Sequence, residues 1–344
     1  MTAQATTIGG FFGLEPPDRP RADGGVLARW TQGEDWLGFH NARSAFAHLV
    51  RGLAPGTVWL PSYLCADMDA GAGPAIRRYG VGPVLDLDDA AFEAALAPGD
   101  LVVAVAYFGA PVCRRLRDLA LRRPDVTWLE DRAQALSVPI EDDIPGAWRL
   151  FSPRKLLGTA EGGLLVGPVS GLPMPSLTLP PVEHDAAAEA RAAAATRDHI
   201  AEAYRRYVAI ERDHAVADLA MSGRTRRILA AASPDDMARR RRENLAILDA
   251  RLDRYAAPVV ERLRGSAAPF GYPLLLADGR DAVAARLAAD GVFCAVHWRA
   301  LGAAETADPV ATRLRDGMLT LPLDHRYGPE DMTGLADRVR QALA

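Results

Sequence analysis

Lysine is almost absent from this chain of 344 residues. Lys and Arg together number 40, and Lys155 is the only lysine; the remaining 39 are arginine. Arginine keeps its proton in a protein, so it cannot serve as an amine nucleophile, and that chemistry can come from one side chain only. Cysteine is scarce too. Cys65, Cys113 and Cys294 are odd in number, widely spaced and without a CxxC pair. This argues against a disulfide framework or a zinc site and fits reduced thiols in the cytosol. The seven histidines (His40, His48, His184, His199, His214, His297, His325) form neither HxxxH nor HExxH, so no metal is expected and each reads as a surface or packing residue. Neither GxGxxG nor GxxxxGK[ST] occurs, which weakens any reading as a dinucleotide dehydrogenase or an ATPase. A net charge of −4 gives no excess of positive charge for nucleic acid. There is no run of about 18 apolar residues to span a membrane, and no basic stretch followed by an apolar run to mark a signal peptide. A cytoplasmic protein is the expectation.

What is present is ample apolar content, 49% of residues, enough for a sizeable core. From residue 40 to 167 short apolar runs alternate with helix-like stretches. The strand candidates are Thr57–Leu60, Val84–Leu87, Leu101–Tyr107, Val126–Glu130, Trp148–Phe151 and Leu164–Val166, with helices over Ser44–Leu53, Ala90–Leu96 and Cys113–Arg122. Continuous apolar runs suit strands covered on both faces, so the pattern predicts an α/β domain with a mostly parallel central sheet flanked by helices. A proline-rich loop at 168–182 leaves the sheet, and a helical excursion follows over 184–232. Ser233-Pro234-Asp235-Asp236 opens a further helix through about Tyr255: a capping serine, proline in the first position, then acids. Its run Arg239–Arg242 reads as solvated or paired charge rather than a nucleic-acid surface. The last stretch reads strand (Pro273–Leu276), helix (Asp281–Ala289), strand (Val292–Val296), strand (Met318–Leu321), helix (Pro329–Leu343). The expected division is a large α/β domain over 1–232, with an N-terminal arm, and a small C-terminal α+β domain over 233–344.

Ligands of parallel α/β sheets gather at the carboxyl ends of the strands. Pro61-Ser62-Tyr63-Leu64-Cys65 follows one strand, Tyr107-Phe108-Gly109 another, Glu130-Asp131-Arg132-Ala133-Gln134 a third and Ser152 to Lys155 a fourth. A lysine, an acid and a helix start, each after a strand, are what pyridoxal phosphate requires. The lysine forms a Schiff base, a carboxylate pairs with the ring nitrogen, and backbone N–H groups hold the phosphate. Taken alone, Asp131 also fits a helix cap after a strand, and Ser44 a simple cap.

Several segments, in order, resemble the DegT/DnrJ/StrS family of pyridoxal-phosphate aminotransferases, the sugar aminotransferases of the aspartate-aminotransferase fold (fold type I). They are Asn41-Ala42-Arg43-Ser44-Ala45, Leu60-Pro61-Ser62-Tyr63, Tyr107-Phe108-Gly109-Ala110-Pro111, Glu130-Asp131-Arg132-Ala133-Gln134, and Phe151-Ser152 with Lys155 and Glu161-Gly162-Gly163. Weaker similarity runs through Asn244 to Leu321-Pro322-Leu323. The resemblance implies that Lys155 bonds the cofactor and then moves a proton between cofactor and substrate carbons. It implies that Asp131 pairs with the ring nitrogen and that Gln134 approaches the ring hydroxyl. Ser152 and the backbone N–H groups of Ala42, Arg43 and Ser44 would hold the phosphate. The family carries a ring-stacking aromatic where this chain has Cys65; either the partner is smaller here or it comes from elsewhere, with Tyr63 a candidate.

The family's glycine turn has histidine where Ala106 stands, and its loop between the alanine-rich helix and Ser233 is replaced by Met221-Ser222-Gly223-Arg224-Thr225-Arg226-Arg227. That loop serves cofactor phosphate and sugar-nucleotide contacts across a dimer, so its loss bears on a nucleotide-linked substrate; Arg224 is the local candidate for a phosphate contact between subunits. A dehydratase branch has histidine in place of the lysine, and Lys155 argues against that branch. The expected activity moves an amino group from an amino-acid donor, glutamate foremost, to a keto group of a sugar or sugar-like metabolite, in a homodimer. A catalytically silent partner protein, and a different pyridoxal-phosphate reaction such as elimination or cyclisation, stay open at this level. With one lysine present, borohydride reduction of the cofactor-loaded protein is expected to leave a cofactor-bearing peptide at Lys155. The only other acceptor is the chain's amino terminus, and peptide mass spectrometry showing an adduct at neither would end this reading.

Overall fold

The computed structural model describes residues 7–16, 18–73, 75–175, 178, 186–194, 197–213, 216–302 and 308–344. His184, His214 and most of the proline-rich stretch after 175 lie outside the described residues. The described strands are β1 (Ile8–Gly9), β2 (Trp36–Phe39), β3 (Val58–Pro61), β4 (Ile76–Tyr79), β5 (Leu101–Val105), β6 (Thr127–Asp131), β7 (Trp148–Phe151), β8 (Gly163–Val166), β9 (Gly271–Leu275), β10 (Val292–Phe293) and β11 (Met318–Pro322). Seven of them form the central sheet in the order β2-β8-β7-β6-β5-β3-β4. Strands β4, β3, β5, β6 and β7 are parallel; β8 runs against both β7 and β2. Every residue of β3, β5, β7 and β8 is buried. Residues such as Leu101, Val102 and Val103 are therefore covered on both faces, each apolar side chain stabilising by roughly 1.5–3 kcal/mol.

The helix Ala42–Leu53 shows how the local sequence sets an element beside the sheet. Asn41 caps it, its side-chain Oδ1 accepting the Ser44 N–H at 2.8 Å. Ala45, Phe46, Leu49 and Val50 form the buried stripe. Ala54 ends it in the left-handed region at φ 46°. Two glycines let this helix start approach the sheet. A Cβ on Gly163 would stand 2.3 Å from the Asn41 carbonyl carbon, and Gly162 has φ +133° while donating its N–H to the His40 carbonyl at 2.6 Å.

The small unit pairs β9 with β11 antiparallel and continues through an Ala295–Thr320 bridge toward β10. The N-terminal arm belongs here in space, because β1 pairs in parallel with β10. One apolar core runs through both units, including Val102 and Phe108 from the first and Leu248, Leu274 and Leu335 from the second. Asn244 is fully buried, and its Nδ2 lies within 3.0–3.1 Å of the carbonyls of Leu323, Asp324 and Tyr327.

Three departures from the expected elements have physical causes. Val84–Leu87 is a turn, with Leu85 at φ 57°, and the edge strand is β4, whose Arg77 and Arg78 broke the apolar run. The long helical excursion is divided into Ala186–Ala192, Arg197–Asp213 and Gly223–Ala231. Between the last two, residues 219–221 lie along β2, with His40 N–H to Leu219 O at 3.0 Å and Met221 N–H to Gly38 O at 3.0 Å, which covers that sheet edge. A helix at Pro309–Gly317 was not anticipated, although Asp308-Pro309 repeats the cap of Ser233-Pro234.

The end of β6 is locked by buried charge. Successive side chains of a strand point to opposite faces, and Glu130 meets Arg132, whose Nε and Nη2 donate to Glu130 Oε2 at 2.9 and 2.7 Å. Arg132 also reaches Asp143 at 2.5 Å, and Glu130 Oε1 accepts the Ile144 N–H at 2.5 Å. Burial pushes the Glu130 carboxyl up while Arg132 pulls it down. Arg132→Met strands that carboxylate and is expected to destabilise the fold by about 3–5 kcal/mol, read as a lowered midpoint in chemical denaturation. A midpoint equal to wild type would show the cluster to be energetically idle.

Candidate active site

The carboxyl ends of β2, β3, β6 and β7 meet at one edge of the sheet, and two cavities open there with Lys155 on the wall of both. The smaller, about 90 Å³, is lined by Ala42, Arg43, Cys65, Asp131, Ser152 and Lys155 among others. The larger, about 630 Å³, is lined on its far side by Phe11, Tyr204, Tyr207 and Arg191, and near Lys155 by Arg241 and His297.

Lys155 sits in a short 3-10 turn, Pro153–Lys155, directly after β7. Asp131 closes β6 with its carboxylate buried; Oδ1 accepts the Ala133 N–H at 2.9 Å. Burial pushes this carboxyl above the usual carboxylate range, and the nearby Lys155 ammonium and the Ala133 N–H pull the other way. Ala42 and Arg43 occupy the first helical turn, where backbone donors have no acceptor within the helix. With Ser152 on the same wall, this makes an anion-binding corner.

Three expected site residues fall elsewhere. Ser44 is buried, its N–H is taken by the Asn41 cap, and its Oγ accepts the Ala217 N–H at 3.1 Å, so it has no donor from the backbone for a phosphate. Tyr63 lines neither cavity: its hydroxyl donates to the His297 carbonyl and lies 3.3 Å from Met318 Sδ, which joins the two units instead. Gln134 is buried off the cavity wall; its Oε1 accepts the Phe108 N–H at 2.9 Å, while its Nε2 has no partner among the described residues. Arg224 pairs with Glu189 of its own chain at 3.1 Å. The segment around it starts a helix held by Glu161, whose Oε1 accepts the Ser222 N–H at 3.1 Å and hydroxyl at 2.7 Å.

Other residues at the site carry no local signature in the sequence. His297 is buried with Nδ1 3.0 Å from Thr320 Oγ1, and burial, then the Lys155 charge, lower its pKa to about 3, so the ring is neutral. Trp298 lines the smaller cavity beside Cys65. Arg241, within the arginine run expected to be solvated or ion-paired, is instead fully buried with backbone carbonyls of Leu156, Pro269 and Phe270 at 3.3 Å; burial lowers its pKa to about 10. No group of three or more His, Cys, Asp or Glu side chains able to hold a metal occurs among the described residues. The described cysteines are all free thiols. No described helix is long and apolar enough to cross a membrane.

An amine, a buried carboxylate and an anion corner around one small cavity can hold a flat ligand with a basic ring nitrogen, a carbonyl and a phosphate. Solved structures of similar architecture include aminotransferases. The chain superposes on the aminotransferase TlmJ of Streptoalloteichus hindustanus with a TM-score of 0.67 at 19% identity, covering 98% of this chain and 99% of that one. It superposes on Helicobacter pylori PseC, an aminotransferase involved in the biosynthesis of pseudoaminic acid, with a TM-score of 0.67 at 14% identity, covering 98% and 99%. For Spr1654 of Streptococcus pneumoniae, described as a sugar aminotransferase and solved in a PLP form, the values are 0.64 and 15%, covering 97% and 98%. No family model and no curated protein matches the sequence. The fold is thus the α/β aminotransferase fold, fold type I, with a mostly parallel sheet and a small C-terminal unit.

A buried carboxyl with a raised pKa binds its proton more tightly folded than unfolded, so it costs stability once pH exceeds its unfolded value. Asp131→Asn is therefore expected to raise the thermal midpoint of the cofactor-free protein at neutral pH. The gain should fade as pH falls through the folded pKa and vanish below about pH 4, where the wild-type carboxyl is protonated in both states. A thermal scan across pH with no such gain would contradict this account of the site's electrostatics.

Proposed function

We propose that the chain is a pyridoxal-phosphate-dependent aminotransferase of the DegT/DnrJ/StrS family. It transfers an amino group from an amino-acid donor, glutamate foremost, to a keto group of a sugar or sugar-like metabolite, as a cytoplasmic homodimer. The observation that carries this reading is the sole lysine and the buried Asp131 carboxylate on one wall. The fold likeness to the three aminotransferases supports it.

The residues fit the cofactor. Asp131 has a burial cost that a protonated ring nitrogen offsets. Ala42, Arg43 and Ser152 offer donors to the phosphate. Bound there, pyridoxal phosphate supplies an electron-accepting ring conjugated to the reacting carbon. Lys155 would hold the cofactor through its amine, and the same amine would serve as proton carrier at the reacting carbons. Asp131 would keep the ring nitrogen protonated. His297, buried and neutral, stands on the wall of the larger cavity with Lys155, and that cavity takes the substrate. The homodimer rests on the resemblance in sequence. The altered stretch 221–227 turns Arg224 to its own chain's Glu189, which favours a substrate without the family's nucleotide contacts there.

The purified protein with pyridoxal phosphate should absorb near ~410–430 nm. L-glutamate or another amino acid alone should bleach that band. Lys155→Ala retaining the wild-type band, or a wild type that takes up no cofactor, would sink the proposal. A band that no amino donor bleaches would point instead to the silent homologue.

A further inference from the structure

We propose that Trp298, carried by the small C-terminal unit, supplies the aromatic ring that lies against the cofactor's pyridine ring, the place filled in the family from the position of Cys65. This rests on the cofactor reading above. Cys65 does stand on the wall of the small cavity, but a thiol has no ring to cover a ring. Burial pushes that thiol's pKa up, so it stays neutral. Two nearby aromatics are committed elsewhere. Tyr63 donates to the His297 carbonyl, and Tyr107 donates to the Tyr63 carbonyl at 2.5 Å; both are buried and neither lines either cavity.

Trp298 is the one aromatic on that wall among the described residues, together with Lys155, Asp131, Ser152 and the helix start. Its backbone is stitched to the segment that carries Cys65. The Ala66 N–H donates to the Ala300 carbonyl at 3.3 Å, the Gly302 N–H to the Leu64 carbonyl at 3.4 Å, and Cys65 bridges Leu301. The indole is held in orientation by Tyr63 (centroids 5.2 Å, 58°), Tyr107 (6.4 Å, 56°) and the His297 ring (5.5 Å, 83°). It is only partly buried, leaving ring surface for the cavity. Ala133, two residues beyond Asp131, offers the same cavity only a methyl group, so a flat ring has a small residue and a large one available as covers.

An electron-rich indole beside a ring kept cationic by Asp131 adds a charge–quadrupole attraction to the stacking. The consequence is architectural. Lys155 and Asp131 grip the cofactor from the large unit and Trp298 from the small one, so cofactor binding ties the units together.

The test is a titration of the apoprotein with pyridoxal phosphate, read by Kd and by visible circular dichroism of the bound cofactor. It compares wild type, Trp298→Phe, Trp298→Leu, and Trp298→Leu combined with Cys65→Tyr. Trp298→Leu keeps an apolar side chain of useful size, which protects the fold, and far-ultraviolet circular dichroism verifies it. The expected result is a Kd raised roughly ten-fold in Trp298→Leu, with an altered visible signal. Phe at 298 should restore much of both, and Tyr at 65 should restore part. Leu binding as tightly as Phe, with an unchanged visible signal, would overturn the stacking role and leave the cofactor reading intact. A wild type that binds no pyridoxal phosphate would overturn both.

Discussion

A carboxylate buried with too few partners is the constraint around which the site is arranged. Asp131 stands at the end of a strand covered on both faces, and what offsets its desolvation is one backbone N–H and the charge of Lys155. Neither group alone would keep a buried anion comfortable. The neighbouring carboxylate is also pushed up by burial but has more hydrogen-bond partners. Glu130, one residue earlier and on the other face, is fully satisfied by Arg132 and the Ile144 N–H, which holds the strand end rigid. A satisfied acid thus positions an unsatisfied one, and the unsatisfied one is the useful member, since it favours a cationic group arriving beside it.

The rest of the fold serves that placement. Gly162 and Gly163 let the capped start of the 42–53 helix come within backbone distance of the sheet, so that its donors share a cavity with Asp131. The small unit is fastened to the edge where the chemistry lies. Arg262 donates to the Leu85 and Pro111 carbonyls at 2.7 and 2.5 Å, the Phe270 N–H to the Phe108 carbonyl at 2.7 Å, and the Ser62 hydroxyl to Asp308 at 2.5 Å. These bonds lie beside the strand ends that carry the site. The larger cavity is bounded by both units and by the N-terminal arm, so its shape depends on how they pack.

Much of this was legible residue by residue. Lys155 stands out because no other side chain can do its chemistry, and Asp131 because an acid directly after an apolar strand lies at a sheet's carboxyl edge. Ser152, Ala42 and Arg43 came from the family resemblance rather than from a pattern of their own. Ser44 gives its N–H to the cap residue three positions back, a local geometry that composition does not reveal. Tyr63 sits off both cavity walls, its hydroxyl drawn to the His297 carbonyl, a partner 234 residues away in sequence. Arg241 looked like one of four surface charges, yet helix periodicity turns it inward while Arg239 and Arg240 reach Glu243. The edge strand β4 hid behind two arginines that break the apolar run: Arg77 lies over the Trp59 ring, and Arg78 is nearly buried, reaching Asp69 and the Pro61 carbonyl.

Local order and single-residue chemistry were therefore decided by sequence. Alternating apolar runs and caps specify a parallel sheet with helices, since buried strands and helix starts have short-range signatures. A lone lysine specifies where an amine can act. Only the tertiary structure decided which residues share a wall. The pairing of β1 with β10 took the N-terminal arm into the small unit. The stitching of residues 300–302 to 64–66 set Trp298 beside Cys65, and the choice of hydrogen-bond partners withdrew Ser44 and Tyr63 from the cavity. Such proximities join positions hundreds of residues apart, and they depend on the free energy of packing the whole chain rather than on any pattern along it.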